Sequence, residues 1–339
     1  MDPIITPNKK TGAVPVVTVL MPAYNAARFL DESIPSILNQ TFDNFEFIII
    51  DDCSTDDTPD IIKKYAEKDP RIVYVRNPIN IDHLASRNKA LEYARGIYVA
   101  ELDADDIALP NRLEAQYQYL NQHPEVALVG GWVEIIDSQG IKVGLKQPYE
   151  SFDLIKYRML LRNPFTHSAI FYRKDTIRSL GGYNQEYLHA EDYHLYYTLI
   201  QNGYRLANVP ETIIKYRYHQ QSISTVSKTR AIQLASVYQI NYRYLNQYLP
   251  ISLDKVKTVI DTIHKRKQSI FAIVSTILFC KRLTSAYLKK EQADSKYQET
   301  IWNIYAKEKE MLLGQSFRTY VPALYAVAKK IYKNLAKWA

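Results

Sequence analysis

The chain has 339 residues, of which 47% are hydrophobic and 23% charged, a balance that excludes a disordered chain and outgrows one modest core. Its net charge of +7 is uneven, with −6 over residues 1–225 and +13 over residues 226–339, so an acidic body carries a basic tail. Two cysteines, Cys53 and Cys280, without metal-ligand spacing exclude a disulfide framework and a thiolate metal site.

The opening stretch MDPIITPNKKTGAVP lacks the apolar core of a signal peptide. No run reads as the roughly 18–20 apolar residues that span a bilayer; SIFAIVSTILFC (269–280) comes nearest and meets Lys281 and Arg282. We therefore expect a cytoplasmic protein. VVTVLM (16–21) reads as a buried parallel strand ended by Pro22. From Ala26 to Asn39, Phe29, Leu30, Ser33, Ile34, Ile37 and Leu38 form one helical stripe, which Pro35 should kink or shorten. FEFIII (45–50) and RIVYV (71–75) are further strands, with a helix from Thr58 to Tyr65 between them. A helix from Leu84 to Arg95, stopped by Gly96, leads into a fourth strand, IYVAEL (97–102).

Strand and helix thus alternate four times in about 100 residues, which predicts an α/β fold with a parallel sheet and helices on its faces. Ligands on such sheets bind at the carboxyl ends of the strands. Two acid clusters fall there: Asp51-Asp52 after FEFIII, and Asp103, Asp105 and Asp106 after IYVAEL. Beyond Gly130-Gly131 the alternation loosens. THSAIFY (166–172) reads as a strand, SLGGYN (179–184) as a loop, and Ala190 to Gln201 as a helix opened by two acids. From Ser227 the text is helical and rich in Lys and Tyr, so we place a domain boundary near 225.

Five groups could carry chemistry. Asp103 and Asp105 can project two carboxylates toward one hard cation, Mg2+ or Mn2+; the plain alternative is a solvated loop capping the helix near Pro110. Asp52 can accept hydrogen bonds from a nucleoside, with Ser54, Thr55 or Asp57 capping the next helix. Arg87 can meet a diphosphate, restrain the acids, or lie exposed on its helix. Glu191-Asp192 can supply a general base, although acids also simply favour first turns. His219 can complete a metal site or be structural.

The segments VTVLMPAYNAARFLDESIPSILNQTFDNFEFIIIDDCSTD, ASRNKALEYARGIYVAELDADDIALPNRL, LGGYNQEYLHAEDYHLYYTL and YRYHQQSIS together resemble family 2 glycosyltransferases, over roughly residues 15 to 225. The resemblance implies a GT-A fold, a Rossmann-like, mostly parallel sheet flanked by helices, here with a helical C-terminal extension. It implies inverting transfer from a nucleotide-diphospho-sugar, a UDP-sugar favoured, to a hydroxyl of a lipid-linked or oligosaccharide acceptor. Carried over, Pro22, Ala23 and Tyr24 would line the nucleotide pocket, and Asp52 would bind the base with Asp51 supporting it. Asp105 would hold Mn2+ or Mg2+, with Asp103 near the ribose and His219 able to join the metal. Arg87 would meet the diphosphate, Gly182 would approach donor and acceptor, and Asp192 would be the base with Glu191 beside it.

The departures are specific. Cys53 stands where the family usually has glycine or another small or polar residue, and NINIDHLASRN lacks the glycine often found before the RN pair. The QxxRW signature of processive synthases is absent, which favours single-sugar transfer. The alternative is a non-catalytic nucleotide-sugar-binding relative. A P-loop is missing, and a nuclease gripping nucleic acid would leave Pro22 to Asn25 without a role, so no nucleic-acid partner is expected. The tail SFRTYVPALYAVAKKIYKNLAKWA reads as a basic amphipathic helix, suited to an anionic membrane surface or to packing on the rest of the protein; a homo-oligomer stays open.

Overall fold

The computed structural model describes residues 4–5, 14–219, 227–264 and 269–317. The basic tail beyond Phe317 and the segment 220–224 of YRYHQQSIS lie outside the described residues. The chain divides into two compact units, 1–156 with 163–236, and 157–162 with 237–339.

The first unit is built on one sheet. Its strands are β1 (Ile4–Ile5), β2 (Val17–Ala23), β3 (Phe45–Asp51), β4 (Ile72–Arg76), β5 (Tyr98–Glu101), β6 (Ile107–Ala108), β7 (Val126–Ile136), β8 (Lys142–Lys146), β9 (Phe171–Arg173) and β10 (Arg205–Arg217). They lie in the order β1-β4-β3-β2-β5-β9-β7-β10-β6, with β8 paired to β7. The β4-β3-β2-β5 half is parallel, whereas β9 joins β5 and β7 antiparallel. Val17, Val19, Leu20, Met21, Phe47, Ile48, Ile49 and Ile50 are all fully buried, as expected of strands covered on both faces. The helices of this unit are α1 (Ala27–Leu38), α2 (Thr58–Ala66), α3 (His83–Tyr93), α4 (Arg112–Gln122), α5 (Phe152–Arg158), α6 (Lys174–Ser179) and α7 (Glu191–Gln201), α5 ending in the second unit's segment.

Two prolines lie inside regular elements. Pro22 does not end β2, because strand pairing to β3 continues through Ala23. The Leu20 carbonyl faces β5, so Pro22, of the same parity, turns its missing N–H to the side where the β5 ladder has already stopped. Pro35 does not end α1, which runs on to Leu38. The carbonyl that loses its partner, that of Asp31, belongs to an exposed residue and can turn to water.

The loosening expected after Gly130-Gly131 is corrected. Both glycines lie inside the eleven-residue strand β7, beside the thirteen-residue β10. A Cβ on Gly130 would stand 2.3 Å from Asn208 Oδ1 and 2.7 Å from Phe165 Cδ1, and one on Gly131 2.6 Å from Ile213. The glycines therefore allow close approach rather than a turn. Gly130→Ala is expected to cost about 1–3 kcal/mol by overpacking, read as a lower midpoint in thermal unfolding. THSAIFY is likewise only partly a strand: His167–Ala169 is a 3-10 turn, pinned by Gln116 Nε2 on the Ala169 carbonyl at 2.8 Å.

The second unit is helical, as the sequence predicts after Ser227. It contains the end of α8 (Ser227–Leu245), α9 (Leu253–His264), α10 (Ile270–Lys290) and α11 (Ser295–Phe317). Val256, Val259, Ile260, Ile273, Ile277, Leu283, Tyr287 and Ile301 form its core. The expectation that no helix could span a membrane is corrected by α10: Phe271–Lys290 is long and apolar enough by length and composition. Lys281 and Arg282 do not stop the helix, since Leu283, Thr284, Tyr287 and Leu288 beyond them are buried. Of its most apolar stretch 56% is buried within the protein, which is how a core helix also reads.

Candidate active site

The site lies at the carboxyl ends of β2, β3 and β5, within the first unit. At the end of β3, Asp51 is fully buried and its carboxylate is taken up by the fold: it accepts from Ser54 N at 2.9 Å and Tyr74 OH at 3.2 Å and pairs with Arg76 Nε at 3.2 Å. Asp52 accepts from Asn77 Nδ2 and from Ile81 N, both at 2.9 Å on the same oxygen, Oδ1. Ala23 is buried beside this strand end, Pro22 is half-buried, and Tyr24 is 52% exposed at the mouth. Cys53 has φ +63°, so the backbone at this departure is of the kind that favours glycine.

Arg87 is the hub. It is 3% exposed, and its Nε lies 3.0 Å from Glu101 Oε2, its Nη2 2.9 Å from Asp103 Oδ1 and its Nη1 3.9 Å from Glu191 Oε1. Of the three roles open to it, restraint of the acids is the one the structure displays. Glu101 hides in the run YVAEL, where it reads as one more strand residue; it is fully buried and also accepts from Tyr172 OH at 2.9 Å and Tyr183 OH at 3.0 Å. Burial disfavours the charge on Arg87, but Glu101 and Asp103 more than restore it, holding the guanidinium above its ordinary range.

The loop after β5 is clamped by β10. Arg217 donates its backbone N–H to Asp106 Oδ1 at 2.7 Å and its Nε–H to the Asp105 carbonyl at 2.9 Å. Two residues on, His219 brings Nε2 within 2.8 Å of Asp105 Oδ2. Its Nδ1 faces Arg28 Nη2 at 3.3 Å. A guanidinium only donates, so Nδ1 accepts and the Nε2–H donates to Asp105 Oδ2. Arg28 and the fully buried Arg217 had no signal in the sequence beyond their lying near the motifs.

The residues fit a divalent cation in chemistry. Burial, reinforced by the charges of Asp105 and Asp103, pushes Asp106 well above the usual carboxylate range. Burial likewise raises Asp103, with Arg87 opposing and Asp105 and Glu101 adding to the rise. Oδ2 of Asp106 is buried without a hydrogen-bond partner among the described residues. A hard cation among these oxygens would relieve that crowding. Asp105 and His219 stand together, whereas Asp103 is tied to Arg87; among the described residues no three such groups gather as a metal cage.

On the other side of Arg87, α7 opens with Glu191 and Asp192. Asp192 Oδ2 accepts from Asn163 Nδ2 at 2.7 Å, and Oδ1 from Tyr193 N at 2.7 Å. Burial and then the charge of Glu191 push Asp192 up to about 6, against the two hydrogen bonds. Gly182, at φ +72°, leaves room for Asn88: a Cβ there would stand 2.9 Å from Asn88 Oδ1, which accepts from Tyr183 N. Gly182 borders an open cleft lined by Asn88, Asn184, Gln185, His194 and Thr198, among which none of the acids appears. The sequence missed Glu101, Asn163 and His83; the last lies 3.1 Å from Glu191 Oε1.

Residues 18–181 match the family described as Glycosyl transferase family 2. An uncharacterized glycosyltransferase of Methanocaldococcus jannaschii is 35% identical over 236 residues, covering 69% of this chain and 81% of its own. The UDP-Glc:alpha-D-GlcNAc-diphosphoundecaprenol beta-1,3-glucosyltransferase WfgD of Escherichia coli is 32% identical over 211 residues, 62% of this chain and 80% of its own. Among solved structures, S. aureus TarS 1-349 in complex with UDP-GlcNAc superposes with a TM-score of 0.53 at 19% identity, covering 89% of this chain and 92% of its own. The mannosyltransferase PcManGT of Pyrobaculum calidifontis, in complex with GDP-Man and Mn2+, gives 0.55 at 17% identity, covering 97% and 88%. These two share the GT-A fold. The chain is a glycosyltransferase and belongs to glycosyltransferase family 2.

Proposed function

We propose that this enzyme moves a single sugar from a nucleotide-diphospho-sugar, a UDP-sugar favoured, to a hydroxyl of a lipid-linked or oligosaccharide acceptor in surface-glycan synthesis, with inversion. The observation that carries this is Arg87, whose one guanidinium lies 2.9 Å from Asp103 of the DxD stretch and 3.9 Å from Glu191 of the ED pair, so that both motifs meet at one side chain. WfgD, which by its name takes UDP-glucose and a lipid diphosphate acceptor, supports the donor and acceptor classes.

Asp52 would hold the base, with Asp51 fixing the loop and Pro22, Ala23 and Tyr24 walling the pocket. Asp105 and His219, with Asp103, would hold Mn2+ or Mg2+, which supplies charge neutralisation for the departing diphosphate when bound. For Nε2 of His219 to serve, the ring would carry its proton on Nδ1 instead, and Arg28 would have to give up its hydrogen bond there. Arg87 would hold Asp103 at the ribose side and add positive charge near the leaving group. Gly182 would let the chain come close to donor or acceptor. Asp192, oriented by Asn163, would take the proton of the incoming hydroxyl, and one displacement with one base gives inversion. We place the enzyme in the cytoplasm, peripheral to the membrane face that presents its acceptor, with residues 1–225 as the catalytic domain and the basic region beyond as the membrane or oligomer contact.

The test is a thermal-shift panel of nucleotide diphosphates and nucleotide-sugars with Mn2+ and with chelator, followed by release of nucleotide on adding a lipid diphosphate acceptor. A rise in midpoint for one nucleotide only with metal, and acceptor-dependent release, are expected. Binding without any hydrolysis or transfer would instead favour a non-catalytic binding relative.

A further inference from the structure

The start of α3 departs from the family pattern, and the structure gives the departure a purpose. Asp82 has φ +79° and ψ +149°, a conformation nearly reserved for glycine. Its carboxylate accepts from Leu84 N at 3.1 Å and stands 2.8 Å from His83 Nδ1. The other ring nitrogen, Nε2, stands 3.1 Å from Glu191 Oε1. An imidazole whose two nitrogens both face carboxylate oxygens donates from both only when protonated. Burial disfavours that charge, yet the hydrogen bonds to Asp82 and Glu191 overcome it and raise His83 to about 9.

Glu191 in turn depends on this cation. It is 6% exposed, and among the described residues its Oε2 has no hydrogen-bond partner. Burial opposes its charge, and His83 then Arg87 hold it below its ordinary value. The other titratable groups around the pair are His189, whose ring stacks on His83 at 5.3 Å, the buried His167, Tyr196, Asp103 and Asp192 itself. We propose that Asp82 and His83 are a positioning pair that keeps Glu191 ionised, so that its charge makes the adjacent Asp192 a stronger acceptor of the hydroxyl proton. The inference rests on Asp192 being the base.

The direction of the effect follows from the donors. Without the imidazolium, a proton shared by the two carboxyls settles on the poorly partnered Glu191, because Asp192 keeps Asn163 and Tyr193 N. Asp192 then faces a neutral neighbour and becomes a weaker base.

The test compares His83→Gln, Asp82→Gly and Asp192→Asn in the full-length enzyme, measuring donor binding by calorimetry and kcat and donor KM from pH 5 to 9.5. Asp82→Gly removes the strained backbone, so loss of fold does not cloud it. In His83→Gln donor binding and KM stay within about twofold, kcat falls about tenfold, and the acid limb of kcat moves down by about one pH unit. Asp82→Gly shifts it less in the same direction. An acid limb that stays or moves up, or a loss confined to donor binding, overturns the proposal while leaving Asp192 as base. Wild-type turnover in Asp192→Asn overturns the base assignment and the pair with it.

Discussion

Asp192→Asn is expected to lower kcat by about 10^2–10^4-fold while donor binding stays within about twofold. The substitution is isosteric, and the amide oxygen of the new side chain can still accept from Asn163, at the loss of the acceptor that Tyr193 N now has. What it removes is the ability to take a proton. The carboxyl is pushed up to about 6 by burial and by Glu191, so wild-type kcat should also fall as pH drops below about 6. Stability should move the opposite way. A carboxyl raised from 3.8 to about 6 favours the folded state at low pH, and that stability is lost as pH rises across this window. Asp192→Asn should therefore be more favourable relative to wild type at pH 7 than at pH 4 by roughly 1–2 kcal/mol, seen in denaturant titrations at both values.

Arg87→Met is expected to cost about 3–5 kcal/mol, the loss that follows when one partner of a buried ion pair is removed. The substitution leaves the fully buried Glu101 with the neutral hydroxyls of Tyr172 and Tyr183 and with His167 Nε2 at 3.9 Å, which burial keeps neutral, and frees Asp103 and Glu191 to repel each other. Adding Glu101→Gln should recover part of the loss, because the orphaned charge is then gone. A double-mutant cycle by denaturant unfolding measures that coupling, and additive losses would show that Arg87 and Glu101 do not act together.

The half of the fold that presents the acids was legible because buried parallel strands write themselves as unbroken apolar runs. FEFIII and YVAEL announced both their burial and where they stop, so Asp51, Asp52, Asp103 and Asp105 were found by position. The other half was harder. Gly130 and Gly131 punctuate a sequence as a loop does, and only the approach of Asn208 and Ile213 shows that they serve a strand pair. Pro210 lies inside β10 at the point where its register to β7 shifts, between Val209 and Thr212.

Partnership was the least visible quantity. The sequence points to Arg87, but nothing local in it says that the head of this side chain reaches residues 101, 103 and 191. Glu101 is masked by its apolar neighbours, and His83 sits in NINIDHLASRN, which reads only as lacking a glycine before the RN pair. Both act through residues far along the chain, and a period of two or 3.6 residues carries no record of such contacts.

The most direct test of the account is calorimetric titration of UDP into wild type, Asp105→Ala and Asp192→Asn, each with Mn2+ and with chelator. Wild type and Asp192→Asn should bind UDP with Mn2+ and lose binding with chelator, whereas Asp105→Ala should bind weakly in both. Equal UDP binding by Asp105→Ala and wild type, or equal loss in Asp105→Ala and Asp192→Asn, would contradict the proposed division into a cation-held diphosphate site and a separate base.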